Sequence, residues 1–388
     1  MPGRHLRRRD IDAAQPTTAV ELFFDLVFVF AITQLSHLII AELTVASVAR
    51  AAFLLLAVWW AWIYTTWMVN WFDPASPAVR GVLVGGMLAS LLMSAALPEA
   101  FGARAWLFAG AYVALQVGRN AAGTLLVKRP LELRDVFERL LAWSVATGGL
   151  WLGGAALRGD HRLALWAPAL ALELAAPLVG YWLPGRGSVT TNAYDIEGRH
   201  FAERCQGFII IALGESIVVT GATATTRGLT PTVVLCLTIA FIETAALWWL
   251  YFGAAATHSR QIMAHHPDSG RLARDAYTYL HLPIIAGIIM SAVGDDLLIA
   301  HPHDTLHGVA LAMVIGGPAL YLFGENLFRL RMTGTTNAKR FGAVVALVAL
   351  ALLGPHVSAL ATNAAVAALL TALAMWELRR PGLAPAAG

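Results

Sequence analysis

Long apolar stretches separated by short polar ones run through the whole chain. A transmembrane helix needs about 20 consecutive, mostly apolar residues, and on that spacing the sequence predicts one crossing after another. The predicted spans are residues 19–41, 50–71, 79–98, 103–127, 137–157, 162–183, 203–222, 231–253, 276–299, 305–328, 339–355 and 357–377. The predicted fold class is therefore all-α, a polytopic transmembrane helix bundle of about 12 helices.

Composition supports a membrane protein without help from any motif. Of the 388 residues, 58% are hydrophobic and 13% are charged, about half the charged fraction of an ordinary soluble domain. The net charge of +3 comes from basic residues scattered between the spans, which argues against nucleic acid as a partner. The predicted partner is the lipid bilayer.

No cofactor is predicted. Cys205 and Cys236 both fall inside apolar spans and suggest neither a disulfide framework nor a thiolate metal site. The chain has no Gly-x-x-x-x-Gly-Lys-Ser/Thr loop, which an ATP-driven pump would need.

The distribution of Lys and Arg predicts the orientation, because cytoplasmic loops of membrane proteins carry more of them. Arg119 alone lies deep within a span, and nearly all other Lys and Arg residues fall on the side that holds both termini. The opposite side carries only Arg50, Arg104, Arg158, Arg162 and Arg227. Both termini should be cytoplasmic. Residues 1–18 then form a basic cytoplasmic tail, retained because the following span is long and charged, and 379–388 form a second tail.

The two halves of the chain resemble each other in several short segments that keep the same order. The matching pairs are 57–62 with 246–251, 93–95 with 290–292, 118–120 with 324–326, and Glu21 with Glu203. These matches predict a parallel repeat of two six-helix halves, residues 19–184 and 203–378, joined by a cytoplasmic linker at 185–202. Chance similarity in a Trp-rich and Ala-rich chain is the alternative.

Three ordered motifs resemble those of a known family. They are Glu21–Ala31 with the sequence ELFFDLVFVFA, Glu203-Arg204 followed by IIIALGESIV at 209–218, and Tyr279–Pro283 followed by Gly287-Ile288. Together they resemble the bacterial low temperature requirement A family over nearly the whole chain. The resemblance implies a multi-pass protein of the bacterial inner membrane, named for a cold-growth phenotype, and implies no settled activity. Phe24-Asp25 is also similar to the Phe-Ser-Asp motif of the lysosomal potassium channel family, although Phe24 replaces the serine.

Ionisable residues inside the spans are the candidate functional residues, because a charge at membrane depth costs ~2.5 kcal/mol or more and usually faces a polar interior. The candidates for a substrate or ion path are Glu21, Asp25, Glu203, Glu215, Glu173, Glu243 and His281. Carriers of protons or cations need such groups. The alternative is that protonated glutamates hold the bundle together through hydrogen bonds.

Arg119 needs a carboxylate partner at this depth. It stands where the second half of the chain has Glu325, which predicts a structural ion pair between the two; a gate or an anion-binding element is the alternative. A further group on the outer side has metal-type ligands, namely Asp295, Asp296, His301, His303, Asp304 and His307, but no tight ligand spacing, and no metal site is predicted there.

The function expected from these features is transport of a small solute or cation through a carboxylate-lined interior, including proton-coupled transport. A protein without transport activity, either an envelope or cold-fitness factor or a membrane-embedded enzyme, is the competing class. An enzyme would gather its groups within ~3 Å of one reacting atom, whereas a transporter would distribute them along a path.

Overall fold

The computed structural model describes residues 5–7, 16–194, 196–253, 261–263 and 266–378. The predicted C-terminal tail at 379–388 and most of the N-terminal tail at 1–18 lie outside the described residues. Within them the chain is all-helical, and the isolated β-bridges do not build a strand.

The long helices follow one another along the predicted spans. They are α1 (Ala19–Ala41), α2 (Val45–Trp71), α3 (Pro77–Ala96), α4 (Ala105–Leu126), α5 (Leu131–Ala156), α6 (Leu163–Ala175), α7 (Gly198–Arg227), α8 (Pro231–Phe252), α9 (His281–Ala300), α10 (Gly317–Thr333), α11 (Ala338–Leu350) and α12 (Ala359–Leu378). Two π-helical segments, Ala273–Tyr279 and Ala312–Gly316, lead into α9 and α10.

Nine helices in the described part of the chain are long and apolar enough to cross a membrane. Five of them are α1, α2, α7, α8 and α12, and the other four are longer helical stretches that contain α3, α9, α10 and α11, namely Pro77–Glu99, Ser269–Ala300, Gly308–Thr333 and Ala338–His356. The predicted bundle is thereby confirmed. The other predicted spans are helices too, but α4 carries Arg119 in its interior and α6 has only 13 residues. Helix α6 is shorter than its predicted span of 162–183 because Pro177 and a series of turns follow it.

The chain divides into two compact units. The first unit comprises residues 1–41, 46–211 and 259–279, and the second comprises 42–45, 212–258 and 280–388. The boundary at 211/212 lies inside α7, so this helix contributes to both units. The parallel six-helix repeat stays a prediction.

Helix α2 lies at the core of the first unit. Its residues are buried almost without interruption from Ala57 to Trp71, as expected of a helix that is apolar on all sides. The indole N–H groups of Trp59 and Trp67 donate to the carbonyl and the hydroxyl of Thr278, at 2.7 and 3.1 Å. Since Thr278 lies in the first π-helical segment, these bonds tie that segment to α2.

The second unit is organised by the close packing of α9 against α10. Glycines allow the approach: a Cβ atom built on Gly287 would lie 2.5 Å from the Tyr321 nitrogen, and one on Gly317 would lie 2.6 Å from the Ser291 nitrogen. Small residues at such crossings let helix backbones come together where lipid provides no hydrophobic driving force. This crossing fixes Ser291 and the residues that follow it on α9.

Candidate functional site

The start of α1 carries a buried polar network built on Glu21. Thr18 and Glu21 form a capping box, in which the backbone and hydroxyl of Thr18 both donate to Glu21 Oε2 at 2.7 Å. Glu21 Oε1 accepts from Arg7 Nη2 at 2.9 Å and lies 2.8 Å from His200 Nε2. Glu21 and His200 are both fully buried. The carboxylate is therefore compensated by a guanidinium and an imidazole.

The other ring nitrogen of His200 also has a partner, which is itself held by hydrogen bonds. Its Nδ1 lies 3.2 Å from the Asn70 amide, and Asn70 Oδ1 accepts from the backbone of Glu197 at 2.7 Å. Glu197 in turn caps the first turn of α7 by accepting from the backbone N–H groups of Arg199 and His200. The network thus joins α1, α2 and α7 in one unit.

One turn further along α1, Asp25 forms a two-pronged ion pair with Arg204 of α7. The two guanidinium nitrogens donate to the two carboxylate oxygens at 2.7 and 2.8 Å. Trp62 Nε1 also donates to Asp25 Oδ1 at 2.7 Å, and the guanidinium lies 5.7 Å from the centre of the Trp62 ring. All three side chains are buried. Because the carboxylate is already matched in charge and geometry, this pair has the character of a structural element.

Glu173 in the first unit has a different environment, made of neutral donors. Tyr112 donates to one of its oxygens, and Trp151 Nε1 donates to the other at 3.0 Å. Gln116 extends this series of hydrogen bonds. Its amide nitrogen donates to the Tyr112 oxygen at 3.0 Å, and its carbonyl accepts from Arg119. Every donor in this relay points toward Glu173, so it links Arg119 to Glu173 through two neutral side chains.

In the second unit, two buried carboxyl groups lie near each other, and neither has a basic partner in the part of the chain that the structure describes. Glu243 of α8 lies within direct electrostatic reach of Asp295 of α9. Ser216 of α7 donates to Asp295 Oδ2 at 2.7 Å, and Thr244 donates to the Ser216 hydroxyl at 3.0 Å. Ser291 lies beside Glu243. We call these five residues the acidic centre.

The acidic centre keeps free oxygen atoms in a buried place. Glu243 is 2% exposed and Asp295 is 1% exposed. Among the described residues, Glu243 Oε2 and Asp295 Oδ1 have no hydrogen-bond partner, and neither carboxyl group forms an ion pair. Ionising both carboxyl groups would bring two negative charges together at low dielectric, which is costly unless a proton or a cation joins them. The chemistry of this set is that of a site for a positive charge.

The other predicted path residues are distributed along the chain. Glu203 is partly buried, and Glu215, which directly precedes Ser216, is fully buried. His281 is buried at the start of α9, where its Nε2 lies 2.8 Å from the Tyr251 hydroxyl. The sequence predicts Glu243 as a path residue and Asp295 as a member of an outer His and Asp group. The structure brings these two together, and whether the residues form a path stays a prediction.

Glu325 and Arg119, the two residues that the sequence predicts to form an ion pair, are each bound to neighbouring groups. Arg340 Nη1 donates to Glu325 Oε2 at 2.7 Å, and the same guanidinium binds Glu377 at 2.9 Å. Arg119 Nη1 donates to the Ala61 carbonyl and the Thr65 hydroxyl at 3.2 and 3.3 Å. A guanidinium that compensates Glu325 is thus Arg340, because the start of α11 lies beside α10. A pairing of Arg119 with Glu325 stays a prediction.

The outer group of His and Asp residues divides between buried and exposed positions. Asp295 and Asp296 are buried, and Thr223 donates to Asp296. His301 and Asp304 form an exposed pair at 3.3 Å, and His307 is bonded to Thr305. Among the described residues, no three His, Cys, Asp or Glu side chains are arranged to hold a metal ion.

Comparison with known proteins agrees with the sequence motifs. The family model described as "Bacterial low temperature requirement A protein (LtrA)" matches residues 17–375. An uncharacterized protein of Rhizobium meliloti (strain 1021) is 35% identical over 379 residues, which is 96% of this chain and 91% of that relative. No solved structure matches the chain. With nearly its whole length matched, the chain belongs to the bacterial low temperature requirement A family of membrane proteins.

Proposed function

We propose that this protein carries a small cation across the bacterial inner membrane and that the acidic centre is the site where the cation binds. The observation that carries the proposal is the contrast among the buried carboxyl groups. Asp25, Glu21 and Glu325 are each held by a guanidinium, whereas Glu243 and Asp295 have no basic partner among the described residues. Arginine side chains neutralise Asp25, Glu21 and Glu325. A bound cation that can leave again would neutralise Glu243 and Asp295.

The ligand chemistry of the acidic centre favours a proton or a hard metal cation. Its donors are carboxyl and hydroxyl oxygens, which suit such cations, and it has no sulfur or imidazole ligand among the described residues. Side chains on three helices, α7, α8 and α9, supply these oxygens. A site shared by several helices can open and close by small helix shifts, which a carrier requires.

Measuring ion flux in proteoliposomes tests this proposal. Proton, sodium and potassium gradients are imposed separately, and the unmodified protein is compared with Glu243→Gln and Asp295→Asn. We expect one gradient to drive flux through the unmodified protein and both variants to fall to the level of protein-free vesicles, because each amide removes one ionisable oxygen. Both variants should stay folded, since a neutral side chain of the same size relieves the repulsion between two carboxyl groups.

Two matched controls define the site. Glu173→Gln changes a buried carboxyl group that already has neutral donors, and Glu99→Gln changes an exposed one; both should keep the flux. Flux that persists in Glu243→Gln and Asp295→Asn would refute the assignment of the site. The absence of flux under every gradient would refute cation transport and leave the class without transport activity.

A further inference from the structure

A large cavity lies at the end of the second unit where α8, α10, α11 and α12 meet. Its volume is about 510 Å³, and its lining includes Trp249, Arg329, Lys339, Arg340 and Glu377. A cavity of this size falls in the range of small-molecule sites, roughly 300–1,000 Å³. The acidic centre is formed by other residues, so the proposed cation site does not account for this cavity.

Positive charge is available in this cavity. Arg340 is occupied, because it binds Glu325 and Glu377 together. Arg329 is different: its Nε is buried and has no hydrogen-bond partner among the described residues, and its charge lies within electrostatic reach of Glu325. Lys339 Nζ donates to the Trp376 carbonyl at 3.3 Å and lies 4.7 Å from the centre of the Trp376 ring. Both carboxylates form their ion pairs with Arg340, so the Arg329 guanidinium and the Lys339 ammonium can contact a ligand directly.

The start of α11 adds polar groups of the same kind. Asn337 caps this helix by accepting from the Lys339 backbone at 3.1 Å, and Ala338 and Thr336 line the cavity. The N-terminal end of a helix carries partial positive charge and unpaired N–H groups, which favour anions. Here they supplement two basic side chains that stand on the same cavity.

The rim of the cavity is apolar and aromatic. Trp249 and Leu378, which line the cavity, are 44% and 55% exposed. Trp residues are enriched where a membrane protein meets the headgroup layer, and basic pockets between membrane helices at that level bind anionic headgroups. The rim suits the glycerol and acyl portions of a lipid, while the basic interior suits its phosphate.

We propose that this cavity is a phosphate-binding site, formed by Arg329, Lys339 and the start of α11, and that an anionic phospholipid headgroup occupies it. The guanidinium of Arg329 can offer two parallel N–H groups to phosphate oxygens, and the Lys339 ammonium adds a compact charge. Arg340 does not take part in binding the phosphate, because its guanidinium is already bound to Glu325 and Glu377. Arg340 and Glu377 form part of the cavity wall.

Thermal unfolding of the full-length protein in lipid nanodiscs tests the proposal. Phosphatidylcholine discs are compared with discs that contain phosphatidylglycerol, for the unmodified protein and for Arg329→Gln and Lys339→Gln. We expect phosphatidylglycerol to raise the unfolding midpoint of the unmodified protein. In each variant phosphatidylglycerol should raise the midpoint less, as expected for about tenfold weaker binding of the lipid. The loss of one charge-assisted hydrogen bond has an effect of that order. Arg80→Gln, at the exposed start of α3, is the matched control and should keep the full shift.

The source of the phosphate is distinguished by a second arm, in which glycerol phosphate or inorganic phosphate is added to phosphatidylcholine discs. Stabilisation by phosphatidylglycerol alone supports a lipid headgroup. Stabilisation by the soluble phosphates that is lost in Arg329→Gln supports the same site with a soluble ligand. An unchanged midpoint with every probe, or an equal loss of the shift in Arg80→Gln, would overturn the proposal. Arg329→Gln should not change the midpoint in pure phosphatidylcholine, so failure to fold can be told apart from failure to bind.

Discussion

The protein with Arg204→Met is expected to lose a large part of its free energy of unfolding. Without the guanidinium, the fully buried Asp25 keeps only the Trp62 N–H as a partner among the described side chains. Breaking a buried ion pair by removing one partner costs about 3–5 kcal/mol, which is a large part of the stability of a typical domain. The measurement is the thermal unfolding midpoint in detergent, together with the fraction of monodisperse protein after size-exclusion chromatography.

The partner substitution shows whether the unpaired charge is the cause. Asp25→Asn keeps an oxygen for the Trp62 N–H and removes the negative charge, so the double variant Asp25→Asn with Arg204→Met should recover stability relative to Arg204→Met alone. Arg50→Met is the control, because Arg50 and Asp160 form a pair at 3.0 Å that is largely exposed and such pairs contribute about 0–1 kcal/mol. Equal stability of Arg204→Met and Arg50→Met would contradict the structural role of the Asp25 pair.

Gly287→Ala is expected to separate α9 from α10. The added Cβ would lie 2.5 Å from the Tyr321 nitrogen and 2.7 Å from the Gly317 oxygen, and because both are backbone atoms, a whole helix has to move. Overpacking of this kind costs about 1–3 kcal/mol, occasionally more. The unfolding midpoint reports the loss, and any ion flux should fall with it, since α9 carries Asp295 and Ser291.

Helix α4 offers the matched control for this substitution. Gly118 is also in the interior of a helix, but a Cβ atom there would meet nothing within 4 Å. Gly118→Ala should therefore be neutral or slightly stabilising, by up to ~1 kcal/mol from helix propensity alone. If Gly287→Ala behaved like Gly118→Ala, the close crossing of α9 and α10 would be wrong.

The number and order of the helices could be predicted because membrane spans are defined locally. A run of about 20 apolar residues is visible in the sequence without any knowledge of the partners. The predicted span boundaries differ from the structure at two places, and in both a local backbone feature is the cause. Helix α6 ends at Ala175 before Pro177, and the π-helical Ala273–Tyr279 occupies the start of the span that the sequence placed at 276–299. Neither a run of turns nor a π segment changes the apolar character that defined those spans.

The partners of the buried charges could not be predicted, because they depend on which helices pack together. The motif at the start of α7 includes Arg204, yet its sequence position gives no sign that it binds Asp25, 179 residues earlier. Arg340 stands at the start of the span predicted at 339–355, on the side that holds both termini, and the sequence did not indicate that it is buried beside Glu325. Similarly, Glu243 and Asp295 stand on different helices, and only the folded unit shows that they meet. A signal did exist for Arg204, since it is the second residue of the span predicted at 203–222 and a basic residue at the end of an apolar span favours a nearby counter-charge.

The ion pair between Asp25 and Arg204 also has a consequence for the biosynthesis of this protein, because its two residues are synthesised at different times. Translation adds about 5–20 residues per second, so Arg204 emerges on the order of ten seconds or more after Asp25. During that interval α1 enters the membrane with a carboxyl group whose permanent counter-charge does not yet exist. The same holds for His200 and Glu21, while Arg7 is already present. Helix α1 therefore reaches its final environment only when α7 has been synthesised and Arg204 can pair with Asp25.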